Sequence, residues 1–174
     1  MKKIIRFNFI LLVVLICCYC CTPEKNNQEP IPTFDWSDKT TPINQTDSLR
    51  YGTSYLSVYS QIYSYTEHTS LDLTATVSIR NTSETDSIYL LRADYYDTNG
   101  IAIQSYLNQP ISIKSMQTLE IVIAESDKKG GTGANFIFEW ATKPTVSEPI
   151  FEAVMISTYG QQGLSFTTQS KRVD

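Results

Sequence analysis

The chain has 174 residues, 41% of them apolar and 18% charged, a balance that fits one folded domain with extensions and argues against a chain disordered throughout. Its formal net charge is −4, but Lys2, Lys3 and Arg6 stand at the very start; without them 11 basic side chains face 18 acidic ones, a net −7. That acidity argues against a nucleic-acid partner, whose phosphates need a basic face, and against electrostatic docking on anionic lipid.

All four cysteines, Cys17, Cys18, Cys20 and Cys21, fall within five positions. A disulfide framework and a cysteine-ligated metal are therefore excluded from the rest of the chain, which must be held by an apolar core. Residues 1–7 are basic and residues 9–16 are uninterrupted apolar. This is the pattern of a secretory signal, too short to span a bilayer. Leu15-Ile16-Cys17-Cys18 resembles a bacterial lipobox, in which leucine stands three residues before the cysteine that receives lipid. Cys18 is the expected lipidation site and Cys21 the alternative. The resemblance implies a lipoprotein with a thioether-linked diacylglycerol and a fatty acyl chain such as palmitate on its amino terminus. Two or more chains anchor stably where one is marginal.

Residues 1–20 are thus read as signal peptide and lipobox, and residues 21–50 as a flexible tether. The tether carries Pro23, Pro30, Pro32 and Pro42 without sustained periodicity. Phe34 and Trp36 are unusual for a linker and are expected to dock on the domain surface.

Residues 51–174 alternate with period two. Residues 51–65 carry tyrosine at 51, 55, 59, 63 and 65. Such a row packs against a neighbouring strand or offers a stacking platform. Residues 71–80 alternate cleanly between apolar and polar, as a half-buried strand does. Residues 66–70 and 81–86 read as polar turns, and residues 88–96 as a central strand. Asp97-Thr98-Asn99-Gly100 reads as a hairpin turn, since Asn-Gly accepts positive φ. Residues 101–107, 111–113 and 119–123 follow, with Pro110 as an interruption. Phe136, Phe138 and Trp140 share one face and are expected in the core. Residues 151–159 and 164–168 close the series. About eight strands without a convincing helix indicate an all-β fold: an antiparallel, immunoglobulin-like β-sandwich without the antibody disulfide.

Several blocks occur in a familiar order: Tyr59-Ser60-Gln61-Ile62-Tyr63, Ser78-Ile79-Arg80-Asn81-Thr82, Asp94-Tyr95-Tyr96-Asp97, residues 130–136 with Glu139-Trp140, and residues 153–156 through 160–167. Together they resemble the bacterial family of domain of unknown function 3124 over roughly residues 55–168. The resemblance implies an exported bacterial protein and supplies no activity and no catalytic residues.

Three of the seven glycines, Gly130, Gly131 and Gly133, lie within four positions between two strand-like runs. Such a loop is either a tight turn or a place where backbone approaches a ligand. Its Gly-x-Gly lacks the third glycine and the following helix of a dinucleotide loop. Strand parity gathers residues 66–70, 97–100, the glycine loop and residues 160–163 at one end, with residues 81–86, 108–110 and 144–149 at the other. The candidate binding rim comprises Asp97, Asp127, Gly130, Gly131, Gly133, Asn135, Gly160 and Gly163, beside Gly100 and His68. Its expected ligand is a small polar molecule or an envelope peptide, or the glycines serve only the turns.

His68, the single histidine, is expected to be solvated, and no nucleophile elbow is present. No catalytic residue, metal or cofactor is expected. Asp94, Asp97, Asn99 and Asp127 carry oxygen ligands but match no standard calcium loop. Asp47-Ser48-Leu49 and Asp86-Ser87-Ile88 resemble an acceptor pattern for O-glycosylation of exported bacterial proteins. The expected function is a lipid-anchored binding or interaction module of the cell envelope. The membrane is its partner through lipid, and the outer membrane is favoured. An envelope hydrolase or metal-dependent enzyme, and a purely structural envelope protein, are the alternatives.

Overall fold

The computed structural model describes residues 36–43, 48–158 and 163–174. The leader, Cys18, Cys21, Phe34 and Gly160 lie outside them. Twelve strands follow in order: β1 (Arg50–Val58), β2 (Gln61–Ser64), β3 (Thr66–Asp72), β4 (Thr74–Arg80), β5 (Ile88–Tyr96), β6 (Ala102–Ser105), β7 (Ile111–Ile113), β8 (Thr118–Ile123), β9 (Ala134–Thr142), β10 (Ile150–Ser157), β11 (Leu164–Gln169) and β12 (Lys171–Arg172). A single 3-10 turn, Ser37–Lys39, is the one helical element among the described residues.

The strands form an antiparallel sandwich. One sheet runs β12-β1-β9-β5-β6, with β7 also paired to β5; the other runs β11-β10-β4-β8. The alternation in the sequence is the cause. In β9, Phe136, Phe138 and Trp140 point inward and are fully buried, while Asn135, Ile137 and Glu139 point outward. In β10, Phe151, Ala153 and Met155 point inward from the opposite sheet. The two sheets meet where Phe138 stacks on Phe151, with ring centroids 4.3 Å apart. The stack continues through Phe136 at 5.3 Å to Tyr95, whose centroid lies 4.8 Å from that of Phe136. Full burial of each such side chain contributes roughly 1.5–3 kcal/mol.

The strand count exceeds the eight or so expected because β2 separates from the run of residues 51–65, residues 66–72 form β3, and the short β12 follows β11. Residues 51–65 break at Ser60, which is buried, and residues 71–80 break at Leu73, also buried. The Leu73 amide donates to the Ser60 carbonyl at 2.9 Å, so the two breaks face each other. Between them, β2 and β3 leave the sandwich as a separate two-stranded hairpin. Residues 66–70 are therefore strand and not a turn. Their exposed polar side chains mimic a loop because this outer part of the hairpin is uncovered; only nearer the root do Ile62, Leu71 and Asp72 become half-buried. Residues 106–110 are likewise no reversal at the far end. Both β6 and β7 run antiparallel to β5, so the chain jogs at Pro110 and continues in one direction.

Trp36 is buried and joins the core cluster. Thr40 bridges Ile111, and the Thr41 amide donates to the Pro110 carbonyl at 3.1 Å. Residues 36–41 are thus pinned to the strand edge that Pro110 interrupts.

Candidate functional site

Strand register decides which loops share an end. Val58 lies opposite Ala134, and Tyr96 opposite Asn135, so β1 and β5 end where β9 begins. In the other sheet Ile123 and Met155 flank Ala75, Ile156 faces Thr74, and Ser157 faces Leu164. The 97–100 turn, the glycine loop of residues 127–133 and Gly163 therefore occupy one end. The loops of residues 81–87 and 143–149 occupy the other.

At the first end the glycine loop is a clasp. The Gly131 carbonyl accepts the Ser60 and Gln61 amides at 3.1 and 3.0 Å. The Gly130 carbonyl accepts the Thr98 amide at 3.1 Å and the Thr98 hydroxyl at 2.9 Å. The Gly131 amide donates to Lys128 O, and the Gly133 amide to Thr98 Oγ1 at 2.9 Å, so neither is left for an anion nest. Two glycines are required for stated reasons. Gly131 has φ +69°, and a Cβ on Gly130 would intrude on Tyr95 Oη while lying 2.7 Å from Ser60 Oγ and Ala134 Cβ. Behind Gly130, Ser60 Oγ and Tyr95 Oη share a buried 2.9 Å hydrogen bond. Asp97 Oδ1 accepts the amides of Asn99 and Ile101, both at 2.8 Å, and Asp127 Oδ1 accepts the Lys129 amide at 3.1 Å. Both rim aspartates thus hold their own turns. Asn135 lies on β9 beside Ser57 and Tyr96. Gly163 is exposed, and a Cβ added there would meet nothing within 4 Å.

The clasp grips the root of the β2–β3 hairpin. Asp72 closes that root: its Oδ1 accepts Gln61 Nε2 at 2.8 Å, and its Oδ2 pairs with Lys128 of the glycine loop at 2.5 Å. The Lys128 hydrogen bond, followed by that from Gln61, holds the Asp72 carboxyl below the ordinary range. Beyond the root the hairpin carries Tyr63, 62% exposed, and Tyr65, 100% exposed. Tyr65 turns the hairpin at φ +64°, a left-handed conformation that costs a non-glycine residue roughly 1–2 kcal/mol. His68 lies exposed on β3; its ring approaches its neighbour Glu67 at 3.5 Å and its amide donates to Thr66 Oγ1 at 3.2 Å. The sequence signal for this hairpin was weak because its turn contains no glycine, asparagine or proline; the tyrosine spacing was the visible trace.

The tyrosine row is split by this arrangement. Tyr51 and Tyr55 remain on the outer face of β1, Tyr59 packs edge-on against Phe166 at 5.8 Å, and Tyr63 and Tyr65 belong to the hairpin. On the same outer sheet face Arg92 binds Glu139 at 2.9 Å and also contacts Asp94 and Tyr96. Burial pushes the Asp94 carboxyl up, but hydrogen bonds from Arg92 and Ser105 outweigh it and leave Asp94 below the ordinary range. Asp94 is thus committed to Arg92 and stands apart from Asp97 and Asp127. Among the described residues no group of three or more His, Asp or Glu side chains is placed to hold a metal ion. Ser48 and Ser87 both line a cleft at the opposite end.

The fold and its clasped hairpin define an all-β sandwich domain with an aromatic projection at one end. The family model described as a protein of unknown function, DUF3124, matches residues 51–173, and the chain belongs to that family. No curated protein and no solved structure matches the chain.

Proposed function

We propose that this chain is a lipid-anchored protein of the bacterial cell envelope that works as a binding module and presents the β2–β3 hairpin to an envelope peptide. The observation that carries the reading is Tyr65. It is wholly exposed, and its backbone is held in a left-handed conformation. An unpacked aromatic ring gains the domain nothing that would offset this strain. Strain kept without a local return points to a role outside the fold. Tyrosine also suits a contact surface, since it brings large area with few rotatable bonds. Among the described residues no third strand pairs with the hairpin, and beyond the Gln61 amide held by Gly131 its edges allow an extended segment to add as a further strand.

The anchoring half of the reading rests on the basic start, the apolar run of residues 9–16 and the lipobox-like Leu15 to Cys18. Neither Cys18 nor Cys21 is followed by aspartate, the usual signal for inner-membrane retention in enteric bacteria, which favours the outer membrane. The charged side chains fit a surface of ion pairs. The displaced carboxyls of Asp72, Asp86, Asp94 and Asp174 are all lowered, each beside a lysine or arginine, and none is raised toward the range of a general acid.

Met116, at the opposite end, also has positive φ, +57°, but its amide donates to the Ser83 carbonyl at 3.0 Å, so that turn has a local return. The test is site-specific photo-crosslinking of the full chain in cells, with a photoreactive phenylalanine analogue at position 65 or, as control, at Ile150, which is exposed and opens β10 at the opposite end. A discrete protein adduct is expected from position 65 and absent from position 150. No adduct, or the same adducts from both positions, sinks the assignment.

A further inference from the structure

We propose that the cleft at the other end of the sandwich is a seat for a neutral sugar unit. The cleft encloses about 630 Å³, and its polar lining includes Ser48, Thr85, Asp86, Ser87, Tyr89 and Lys143. That volume lies within the range of small-molecule sites.

Two of its walls are held by hydrogen bonds within the protein. Asn81 is buried and organises the loop of residues 81–87. Its Nδ2 donates to the carbonyls of Asp86 at 2.8 Å, Lys114 at 3.0 Å and Ile113 at 3.1 Å, and its Oδ1 accepts the Ser83 amide at 2.9 Å. Ser83 Oγ in turn accepts the Asp86 amide at 3.0 Å, and Thr85 Oγ1 donates to Asp86 Oδ2 at 2.8 Å. The facing wall is a tight turn closed by the Val146 amide on Lys143 O at 3.0 Å, with Pro144 inside it. Tyr89 projects from the outer face of β5, opposite Ala141 of β9. Preorganisation of this kind lowers the ordering cost of binding.

The charge pattern selects the ligand class. Lys143 Nζ and Asp86 Oδ1 pair at 2.6 Å across the cleft. An anion entering there would have to displace Asp86, and a cation would have to displace Lys143. A neutral group that both donates and accepts can instead bridge the pair as it stands. Sugar hydroxyls do both, and the Ser48, Thr85 and Ser87 hydroxyls add matching partners. The tyrosine ring offers a flat wall for the C–H face of a pyranose ring. Several polar groups around one aromatic surface fit a polyhydroxylated ring better than a single amide.

The experiment titrates the full chain, in a detergent without a sugar head group, with the methyl glycosides of glucose, galactose, mannose and N-acetylglucosamine, followed by NMR. At least one should bind saturably with a dissociation constant of about 1 mM. Glucuronate and glucosamine should bind about tenfold more weakly, a difference of about 1.4 kcal/mol. Tyr89→Ala should abolish binding while thermal melting confirms that it folds. Lys143→Met, at an exposed side chain, should reverse the preference toward cationic glucosamine by leaving Asp86 with the Thr85 hydroxyl but without its cation. Saturable binding with both responses supports the seat. No binding of any of the four glycosides, binding that survives Tyr89→Ala, or an unchanged preference in Lys143→Met overturns it.

Discussion

Substituting Gly130 by alanine tests the clasp. The new Cβ would meet Tyr95 Oη and lie 2.7 Å from both Ser60 Oγ and Ala134 Cβ, all of them in a buried setting. Tyr95 cannot retreat, because its ring is stacked 4.8 Å from that of Phe136. Overpacking of this kind costs roughly 1–3 kcal/mol. Separating Ser60 from Tyr95 leaves two buried hydroxyls short of a partner, for roughly another 1–3 kcal/mol. Together the loss is about 2–6 kcal/mol, which at a urea slope of about 2 kcal/mol per molar moves the midpoint down by about 1–3 M. Gly163→Ala is the control at the same end. Nothing stands within 4 Å of its added methyl, so its midpoint should move by no more than about 0.5 kcal/mol equivalent. Equal tolerance of the two alanines would refute the reasoning, since it would mean that Gly130 does not sit against the Ser60–Tyr95 pair.

Phe138→Ala should cost roughly 3–5 kcal/mol, because Phe138 is fully buried and its ring links Phe136 to Phe151 across the sandwich. An unchanged denaturation midpoint would place the strand in the wrong phase. Burial, with help from the nearby Tyr95 and Asp127, pushes the Tyr106 phenol up to about 12. Its contribution to stability is therefore complete below the unfolded value of about 10 and is lost as pH rises toward about 12. Burial also pushes the Tyr95 phenol up, so ultraviolet titration should show Tyr95 and Tyr106 both ionising late, together with alkaline unfolding, and Tyr106→Phe should reduce that late step by one tyrosine. Replacing Cys18 and Cys21 together by serine should abolish metabolic palmitate labelling; labelling that persists would contradict the anchor.

The sandwich was legible because its strands are half-buried. A strand with one face in the core must alternate, and residues 74–80 and 134–142 do so visibly. The shared end of Asp97, Gly131 and Gly163 follows from counting reversals. The β2–β3 hairpin returns the chain to the end it left, and the reversal expected at residues 108–110 falls instead at residues 114–117, between β7 and β8, so the parity is unchanged. The hairpin itself was not legible. Residues 66–70 of β3 are exposed on both faces, so they lack the apolar alternation that marks β4, and the turn relies on a tyrosine with positive φ. The work of the glycine loop was half legible. Glycine at 130 announces a close approach, but its partners, Ser60 and Tyr95, lie 70 and 35 positions upstream. The cleft between residues 81–87 and 143–146 carried no signal of its own, because it is made by Asn81 and a proline turn that meet only in three dimensions.

The central claim is that Tyr65 serves something other than the fold, and the stability of Tyr65→Gly tests it most directly. Glycine relieves a left-handed strain of roughly 1–2 kcal/mol and adds roughly 0.5–1 kcal/mol of unfolded-chain freedom, so the net gain should be about 0–1.5 kcal/mol. A urea midpoint above that of the unsubstituted chain is the expected result. A midpoint below it would show that the Tyr65 ring holds the domain together, and the strain would then need no partner to explain it.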